Sequence, residues 1–298
     1  MASSTLEFAS TEGPARRRSA WALRWRRLSR NVMSLVALGV LTLVAAGALA
    51  APLLMPYDPD APDAAHTLEP PSRRHWLGTD LYGRDQLTRI VYAGRVDLLV
   101  ALEATAIALS LGAVLGAVAG YRGGWIDQVL MRVVETIQAF PSFILAMGIA
   151  AALGNSVTNV VIAIAITHVP IYGRLIRGEM LRIREMEYAE AARTVGNRQR
   201  RIIFYHLLPN CFPPVVVQAT LAMGFAILTV AALSYIGLGI RPPTSEWGAM
   251  TAEGAGYIVS GEWWIFLFPG VAIMATVLSF NLIGDALRDV LDPRMKGV

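Results

Sequence analysis

Residues Val32–Leu54 read VMSLVALGVLTLVAAGALAAPLL, a run without a charged side chain. A helix needs about 20 mainly apolar residues to cross a hydrocarbon core that is ~30 Å thick. Because lipid offers the backbone no hydrogen-bond partner, only helices and closed barrels span membranes, and this run lacks the two-residue alternation of a barrel strand. The stretch therefore predicts a membrane-spanning helix.

Five further stretches of about 20 residues or more are nearly free of charge and long enough to cross a bilayer. They are Leu98–Gly120, Val133–Leu153, Gly154–Gly173, Phe212–Ile240 and Trp263–Gly284, the first interrupted by Glu103 and the second by Glu135. Charged residues make up 16% of the 298-residue chain, whereas average soluble domains carry about 25%. The predicted fold class is an all-α polytopic membrane protein with six transmembrane helices.

The basic residues are distributed unevenly between the predicted loops. When the N terminus is placed in the cytoplasm, the arginine clusters within 16–30 and 174–201 both lie inside, and few basic residues lie outside. Because basic residues accumulate on the cytoplasmic side of membrane proteins, both termini are predicted to be cytoplasmic. The arginines within 56–97 are a mild conflict, partly offset by acidic neighbours. This asymmetry accounts for the net charge of +4 without a nucleic-acid partner.

The predicted spans divide the chain into four parts. Residues 1–30 form a flexible cytoplasmic N-terminal arm, residues 31–55 the first transmembrane helix, residues 56–97 an extracytoplasmic arm, and residues 98–298 a five-helix core whose cytoplasmic loop covers 174–210. Proline and aspartate at the start of the extracytoplasmic arm favour an extended chain. A cleaved signal peptide is the alternative, because Ala48-Leu49-Ala50 resembles a cleavage site, but the apolar run exceeds the usual ~7–15 residues of a signal core.

The long cytoplasmic loop carries the most specific pattern in the sequence. Glu190-Ala191-Ala192 is followed after three residues by Gly196, and Leu208-Pro209 follows later in the loop. We expect a short helix over Glu185–Thr194, whose alanines would let the groove of another protein approach the backbone. Gly196 permits a tight reversal. An apolar return to the membrane then follows and ends at Pro209.

This pattern resembles the EAA loop found in permeases of ATP-binding-cassette (ABC) importers, with His206 at the position where the family usually has isoleucine. In that family the helix of the loop docks into a cleft of a separate ATPase and transmits its closure to the spans. The resemblance implies an ATPase-coupling role for six residues: Glu190, Ala191, Ala192, Gly196, Leu208 and Pro209. An ordinary amphipathic helix at the membrane interface is the alternative.

Three other stretches resemble the C-type permeases of the dipeptide and oligopeptide family. They are His75–Asp80 with Gly83–Asp85, then Tyr235–Gly239 continuing through Pro242-Pro243 to Glu246–Gly248, and last Asn281–Asp285 continuing to Pro293. This resemblance implies the type I ABC importer permease fold and import of short peptides across the bacterial inner membrane. It also implies a second, non-identical permease, two ATPase subunits that carry ATP and Mg, and an extracytoplasmic substrate-binding protein. Nickel, glutathione and opine-like solutes are alternative substrates.

Ionisable side chains inside predicted spans are candidates for the transport pathway or for coupling. Arg132 and Glu135 are one helical turn apart and are expected to neutralise each other. Glu103 either faces the pathway or snorkels towards the outer surface. His168, two residues before Pro170, is expected to pack at a kink, with ligand contact as the alternative.

Other side chains have predicted structural roles. Asp80, Arg84 and Asp85 are expected to pair and hold the extracytoplasmic arm, and Arg288 is expected to pair with Asp285 and Asp292 along a helix surface. Four tryptophans near span ends are expected to anchor at the membrane interface: Trp125, Trp247, Trp263 and Trp264. The single cysteine, Cys211, is expected to be inert packing.

The sequence has no glycine-rich phosphate-binding loop ending in Gly-Lys-Ser/Thr, and its only lysine is Lys296. We therefore expect ATP hydrolysis to take place on a separate polypeptide, and we assign no catalytic residue, cofactor or metal site to this chain. A secondary transporter is the alternative class, but it would show inverted repeats and would leave the arginine-rich cytoplasmic loop unexplained.

Overall fold

The structure, a computed structural model, describes residues 31–291. Within that range it is helical, with nine α-helices of eight residues or more. They are α1 (Val32–Leu54), α2 (Gln86–Arg122), α3 (Gly124–Gln138), α4 (Ser142–Leu153), α5 (Val157–Ile183), α6 (Glu187–Thr194), α7 (Phe212–Tyr235), α8 (Trp247–Ala255) and α9 (Trp264–Leu291). The predicted N-terminal arm (1–30) and the segment from Asp292, which includes Lys296, lie outside the described residues.

The predicted class is confirmed. Five helical segments of the described chain are long and apolar enough to cross a membrane, and α3 with α4 makes a sixth if the two are one broken span. The bounds of α1 agree with the predicted first span. Helix α2 begins at Gln86, well before the predicted start at Leu98, because Asp85 caps it by accepting the Thr88 backbone N–H at 2.8 Å. At 1.5 Å per residue α2 is about 55 Å long, so it extends beyond a hydrocarbon core of ~30 Å.

The prediction of a continuous span over Val133–Leu153 is wrong. Helices α3 and α4 meet at an angle of 86°. Pro141 lies at the break, where it supplies no backbone N–H and disfavours helical geometry at the preceding residue. The other end of α3 is also sharply turned, because Gly123 and Gly124 adopt positive φ angles of 63° and 58°. Helix α3 is therefore not collinear with α2, which precedes it, or with α4, which follows it.

Helices α2 and α5 pack with their backbones in contact. Glycines at four-residue spacing, Gly112, Gly116 and Gly120, form the contact strip on α2. A Cβ atom at Gly112 would lie 2.6 Å from Cβ of Tyr172, and one at Gly116 would overlap the carbonyl oxygen of Gly173. Small residues at this spacing are typical of tight helix pairs in membranes. The strip fixes the C-terminal half of α5 against α2.

Two apolar clusters hold the helices together. One joins α2, α4, α5, α7, α8 and α9 around large buried side chains such as Ile164, Ile227 and Trp247. The other begins between α2 and α5, around Tyr172, and continues to α6 and the segment that follows it. Cys211 is buried in this second cluster, as predicted.

The segment before α2 folds back on the helical core through buried polar contacts. Arg84 pairs with Asp80 (Nε–Oδ2, 2.7 Å), as predicted. Asp85 does not join them. It pairs with His75 (Oδ1–Nδ1, 2.9 Å) while capping α2, since a carboxylate at the N-cap accepts the orphan backbone N–H groups of the first turn.

The membrane-interface prediction is wrong for two of the four tryptophans. Trp247 is buried and donates its ring N–H to the Ile90 carbonyl oxygen at 2.9 Å, and Trp264 is buried and donates to the Thr79 carbonyl oxygen at 3.1 Å. Both indole N–H groups bind backbone acceptors inside the protein, so they do not need the water of the membrane interface as a hydrogen-bond partner. Trp125 and Trp263 are exposed.

The predicted pair between Asp285 and Arg288 is absent from the ion pairs of residues 31–291, although both residues lie on α9. The other predicted partner of Arg288, Asp292, falls outside that range. The described part of α9 packs mainly against α7, α8 and α1, and the predicted Asp285–Arg288 pair does not contribute to it.

Candidate functional site

Helix α6 contains the Glu-Ala-Ala pattern and begins two residues later than the predicted Glu185–Thr194 helix. Ala189 is fully buried in the second apolar cluster, and Ala192 packs against the same cluster. Glu190 and Ala191 lie on the exposed face. The prediction that all three alanines face a partner protein is therefore corrected. Ala189 and Ala192 pack α6 against the rest of this chain, and of the three alanines only Ala191 is exposed.

Side-chain contacts clamp α6 to the ends of the two long helices. Arg193, in its last turn, donates to the Arg184 carbonyl oxygen at 3.0 Å and places its guanidinium 5.6 Å from the centre of the Tyr121 ring. Arg184 in turn donates to the Gly120 carbonyl oxygen at 2.8 Å. These contacts join α6 to α2 and to the residue that follows α5, so a displacement of α6 would carry the ends of both helices with it.

The predicted reversal at Gly196 is confirmed. Its φ angle is +80°, a left-handed conformation that glycine adopts without steric cost. A Cβ atom at this position would have no neighbouring atom within 4 Å, so the backbone angle, and not a neighbouring group, requires glycine here. Asn197 supports the turn by donating its side-chain amide to the Ala192 carbonyl oxygen at 3.1 Å.

The return segment is helical but irregular. Ile202–Leu207 forms a π-helix, closed by a bond from the Leu208 N–H to the Ile203 carbonyl oxygen, and Leu208–Cys211 forms a 3₁₀ turn that leads directly into α7. Pro209 therefore does not end the segment as predicted. Lacking an N–H, it interrupts the regular hydrogen-bond ladder, and the chain continues in a different helical form. Leu208 is half-buried and Pro209 is exposed.

An exposed apolar surface surrounds α6. Val195, just after the helix, is 82% exposed, and Tyr205 on the π-helix is 72% exposed. Met186 and Tyr188 add further exposed apolar area at the start of the helix. Clustered exposed apolar side chains on a protein mark interaction surfaces. We call α6 with Met186, Val195 and Tyr205 the loop surface.

The four candidate pathway residues do not form one cluster. Arg132 and Glu135 pair as predicted, at 3.3 Å, but their side chains are 82% and 59% exposed on α3. Glu103 is exposed on α2, and no ion pair among residues 31–291 includes it. His168 is buried in α5, where its Nδ1–H donates to the Ile164 carbonyl oxygen at 2.8 Å. His168 is therefore packed inside the protein in this structure, and contact with a ligand stays a prediction.

Helix α3 carries further polar contacts to α5 that were not predicted from the sequence. Asp127 accepts two 2.6 Å hydrogen bonds from the guanidinium of Arg177, and Gln138 accepts one at 2.8 Å from Arg174. Neither pair is close in sequence, so only an α3–α5 contact prediction would have found them. These contacts fix the angle at which α3 presents Arg132 and Glu135.

Two buried carboxyl groups were also missed. Asp97 on α2 accepts the Trp247 backbone N–H at 3.1 Å, although the two residues are 150 positions apart. Glu246, the N-cap of α8, accepts the backbone N–H groups of Gly248 (2.7 Å) and Ala249 (2.8 Å). Both side chains are fully buried. Three consecutive N–H groups of the first turn of α8 are thus satisfied by two carboxyl groups.

Comparison with known proteins agrees with this architecture. Residues 112–297 match the family described as "Binding-protein-dependent transport system inner membrane component", and residues 19–71 match the "N-terminal TM domain of oligopeptide transport permease C". The chain is 46% identical over 278 residues to the dipeptide transport system permease protein DppC of Alkalihalophilus pseudofirmus, covering 93% of this chain and 91% of that protein.

Two further relatives give the same family with other names. The probable D,D-dipeptide transport system permease protein DdpC of Escherichia coli is 44% identical, covering 83% of this chain and 82% of its own length. The glutathione transport system permease protein GsiD of Pectobacterium atrosepticum is 40% identical, with 94% and 93% covered. With five or six candidate spans, two family matches and relatives aligned over most of their length, the chain belongs to the family of binding-protein-dependent transport system inner membrane components, the multi-pass permeases of bacterial ABC importers.

Proposed function

We propose that this chain is the C-type permease subunit of an importer that carries dipeptides and short oligopeptides across the cytoplasmic membrane. The names of its relatives support peptides as the substrate class. One relative is named for glutathione transport, so glutathione is an alternative substrate. Nickel and opine-like solutes are further alternative substrates for an importer of the same type. The binding protein that delivers the solute would supply most of the selectivity.

The observation that carries the coupling role is the seating of α6. Ala189 and Arg193 fix the helix to α2 and α5, while Glu190 and Ala191 face outward beside exposed Val195 and Tyr205. A helix that is anchored on one face and free on the other is suited to transmit force from a partner. We assign the loop surface to one of two ATPase subunits, which hold ATP and Mg; this chain performs no catalysis itself.

The remaining partners follow from this assignment. The loop 174–210 and both termini would be cytoplasmic, and the segment before α2 together with α8 would face the extracytoplasmic binding protein. One loop surface per chain and two ATPases require a second permease, which we propose to be non-identical. The first 30 residues form a cytoplasmic arm in this proposal.

The exposed polar groups of α2 and α3 are the proposed pathway positions. A charged side chain facing lipid at the depth of a span is costly, yet Glu103, Arg132 and Glu135 are exposed on the isolated chain. We propose that these faces meet the second permease or the aqueous path between the two subunits. His168 is buried in this conformation, so we give it no contact with the transported solute.

The experiment is uptake into proteoliposomes that contain the assembled importer and its binding protein. Labelled dipeptide should accumulate with ATP inside and should not accumulate under a proton or sodium gradient alone. Gradient-driven uptake without ATP would assign the chain to the secondary transporters. If glutathione or nickel blocks ATP-driven uptake at concentrations at which unlabelled dipeptides do not, the substrate class changes. The assignment to the ABC importers would then stay intact.

A matched pair of variants tests the loop surface. Ala191→Trp adds bulk on the exposed face of α6 and should abolish ATP-driven uptake and ATPase co-purification. Ala46→Trp, at an exposed position of α1 outside the loop surface, is the matched control and should leave both unchanged. Normal uptake by Ala191→Trp would contradict the docking assignment.

A further inference from the structure

In the described part of the chain, the two buried carboxyl groups at the start of α8 have no cationic partner. No ion pair among residues 31–291 includes Asp97 or Glu246. Both side chains are fully buried, and between them they accept the consecutive backbone N–H groups of Trp247, Gly248 and Ala249, which places both carboxyl groups at the first turn of α8. Two ionised carboxylates in a dry site repel each other strongly, and burial itself disfavours the charged form. One of the two is therefore expected to keep a proton.

The hydrogen bonds indicate which group is protonated. Glu246 accepts one backbone N–H group on each carboxylate oxygen, from Gly248 at 2.7 Å and from Ala249 at 2.8 Å. Among residues 31–291, Asp97 accepts only the Trp247 N–H on Oδ2, and its buried Oδ1 has no donor there. A carboxylate with a donor on each oxygen is stabilised as the anion, whereas the unsatisfied Oδ1 of Asp97 is satisfied if it carries a proton and donates it to Glu246.

The charged groups nearby do not supply a counterion. Arg89 reaches the hydroxyl of Ser245, next to Glu246, at 3.4 Å, but its guanidinium is bound to Asp80 and Glu253. Arg84 and Arg89 carry two positive charges, and Asp80 and Glu253 carry two negative charges. The four groups together therefore have no net charge. On α2, Arg95 and Glu103 are exposed, and α7 contributes the neutral Ser234. Helix α9 contacts α8 near its start. The ionisable residues of α9 lie in its second half, far from that contact: Asp285, Arg288 and Asp289.

We propose that Asp97 and Glu246 form a proton-binding carboxyl pair, in which Asp97 holds one proton on Oδ1 and donates it to the Glu246 carboxylate, joining α2 to the connection between α7 and α8. The proton is retained only while α8 keeps its contact with α2 and water stays excluded from the carboxyl pair. Burial raises the pKa of Glu246, which is consistent with a site that favours one shared proton over two charges.

The pair gives stability a definite pH dependence. In the unfolded chain both groups ionise near pH 4, whereas the folded pair keeps a proton to higher pH. The folded state then binds more protons than the unfolded state, so the stability from the pair is complete at low pH and is lost as the pH rises from about 4 through the higher pKa of the folded pair. Asp97→Asn should remove this loss, because the amide keeps the shape and donates an N–H permanently.

The direct test is infrared spectroscopy of the full chain, purified in detergent with its co-purifying subunits, at pH 7. We expect the carbonyl stretch of a protonated carboxylic acid in the wild type and its loss in Asp97→Asn. Glu103→Gln, an exposed acid on the same helix, is the control and should keep the band. A wild-type spectrum without the band, or an unchanged band in Asp97→Asn, would overturn the proposal.

Thermal unfolding gives an independent readout that needs no transport. The midpoint of the wild type should fall between pH 5 and pH 8 by more than that of Asp97→Asn, and equal slopes would overturn the proposal. If Asp97→Asn does not accumulate, Glu246→Gln should shift or remove the wild-type band, because the acceptor carboxylate is gone. An unshifted band in that variant would also count against the pair.

Discussion

Arg89 on α2 donates a 3.1 Å hydrogen bond to Glu253 on α8, a residue 164 positions later in the chain. The same guanidinium donates to Asp80 at 2.6 Å, and Asp80 also accepts from Arg84 at 2.7 Å. One buried network therefore joins the segment before α2, the first turn of α2, and α8. Its members are fully or nearly fully buried except Glu253, so each charge depends on its partner.

The first prediction concerns Asp80, which accepts from both arginines. Asp80→Ala leaves Arg84 and Arg89 buried without their shared carboxylate, and breaking a buried pair by removing one partner costs about 3–5 kcal/mol. Thermal unfolding in detergent should show a large drop in the midpoint. Asp60→Ala, on the exposed part of the same segment, is the control and should change the midpoint little; equal effects of the two variants would show that the network contributes nothing.

The second prediction concerns the glycine strip between α2 and α5. A side chain at Gly116 would overlap the Gly173 carbonyl oxygen, so Gly116→Val must separate the helices at a cost of about 2 kcal/mol or more. Gly178→Ala on α5 meets no atom within 4 Å and should be neutral or slightly stabilising, because alanine favours helix over glycine. The free energy of unfolding of both variants checks this, and tolerance of valine at Gly116 would contradict the observed packing.

The third prediction concerns the turn after α6. Gly196→Val forces a β-branched residue into a left-handed conformation, at a cost of about 1–2 kcal/mol, while Gly196→Asn is better tolerated there. We expect ATP-driven uptake to fall strongly in the valine variant and to be largely kept in the asparagine variant, with both chains present in the membrane at normal levels. Full uptake with valine would remove Gly196 from the coupling residues.

The fourth prediction separates structure from transport at the α3 pair. Exposed ion pairs contribute roughly 0–1 kcal/mol, and Arg132 and Glu135 are both exposed. Glu135→Gln should therefore leave thermal unfolding nearly unchanged and still reduce uptake if α3 lines the pathway or meets the second permease. Unchanged uptake together with unchanged stability would leave the pair without a role in transport.

Much of the fold follows from the sequence because bilayer thickness dictates helix length. The bounds of α1, the apolar content of the spans and the short helix of α6 could all be predicted from local composition. The turn at Gly196 could be predicted because glycine permits the left-handed backbone conformation of a tight reversal. These features depend on neighbours in the chain and on the membrane, and not on distant contacts.

One break inside an apolar stretch, and several features that depend on distant contacts, were missed. The bend between α3 and α4 lies inside an apolar stretch, so hydropathy does not reveal it, and only Pro141 signals the break. The burial of Trp247 and Trp264 requires carbonyl acceptors from the segment before α2 and from α2 itself. Asp97 lies outside the predicted span and Glu246 in a predicted loop, so nothing local indicates that both carboxyl groups bind the first turn of α8.

The length of α2 has a mechanical consequence. Its 37 residues run without interruption from the Arg89 network to Gly120 and Tyr121, where Arg184 and Arg193 hold it to the loop surface. Over its length of about 55 Å, a tilt of about 5° at one end moves the other by about 5 Å, roughly the diameter of a side chain. In the proposed importer, α2 would act as a lever arm that converts a small rotation at the ATPase into a gate-sized displacement on the opposite side of the membrane.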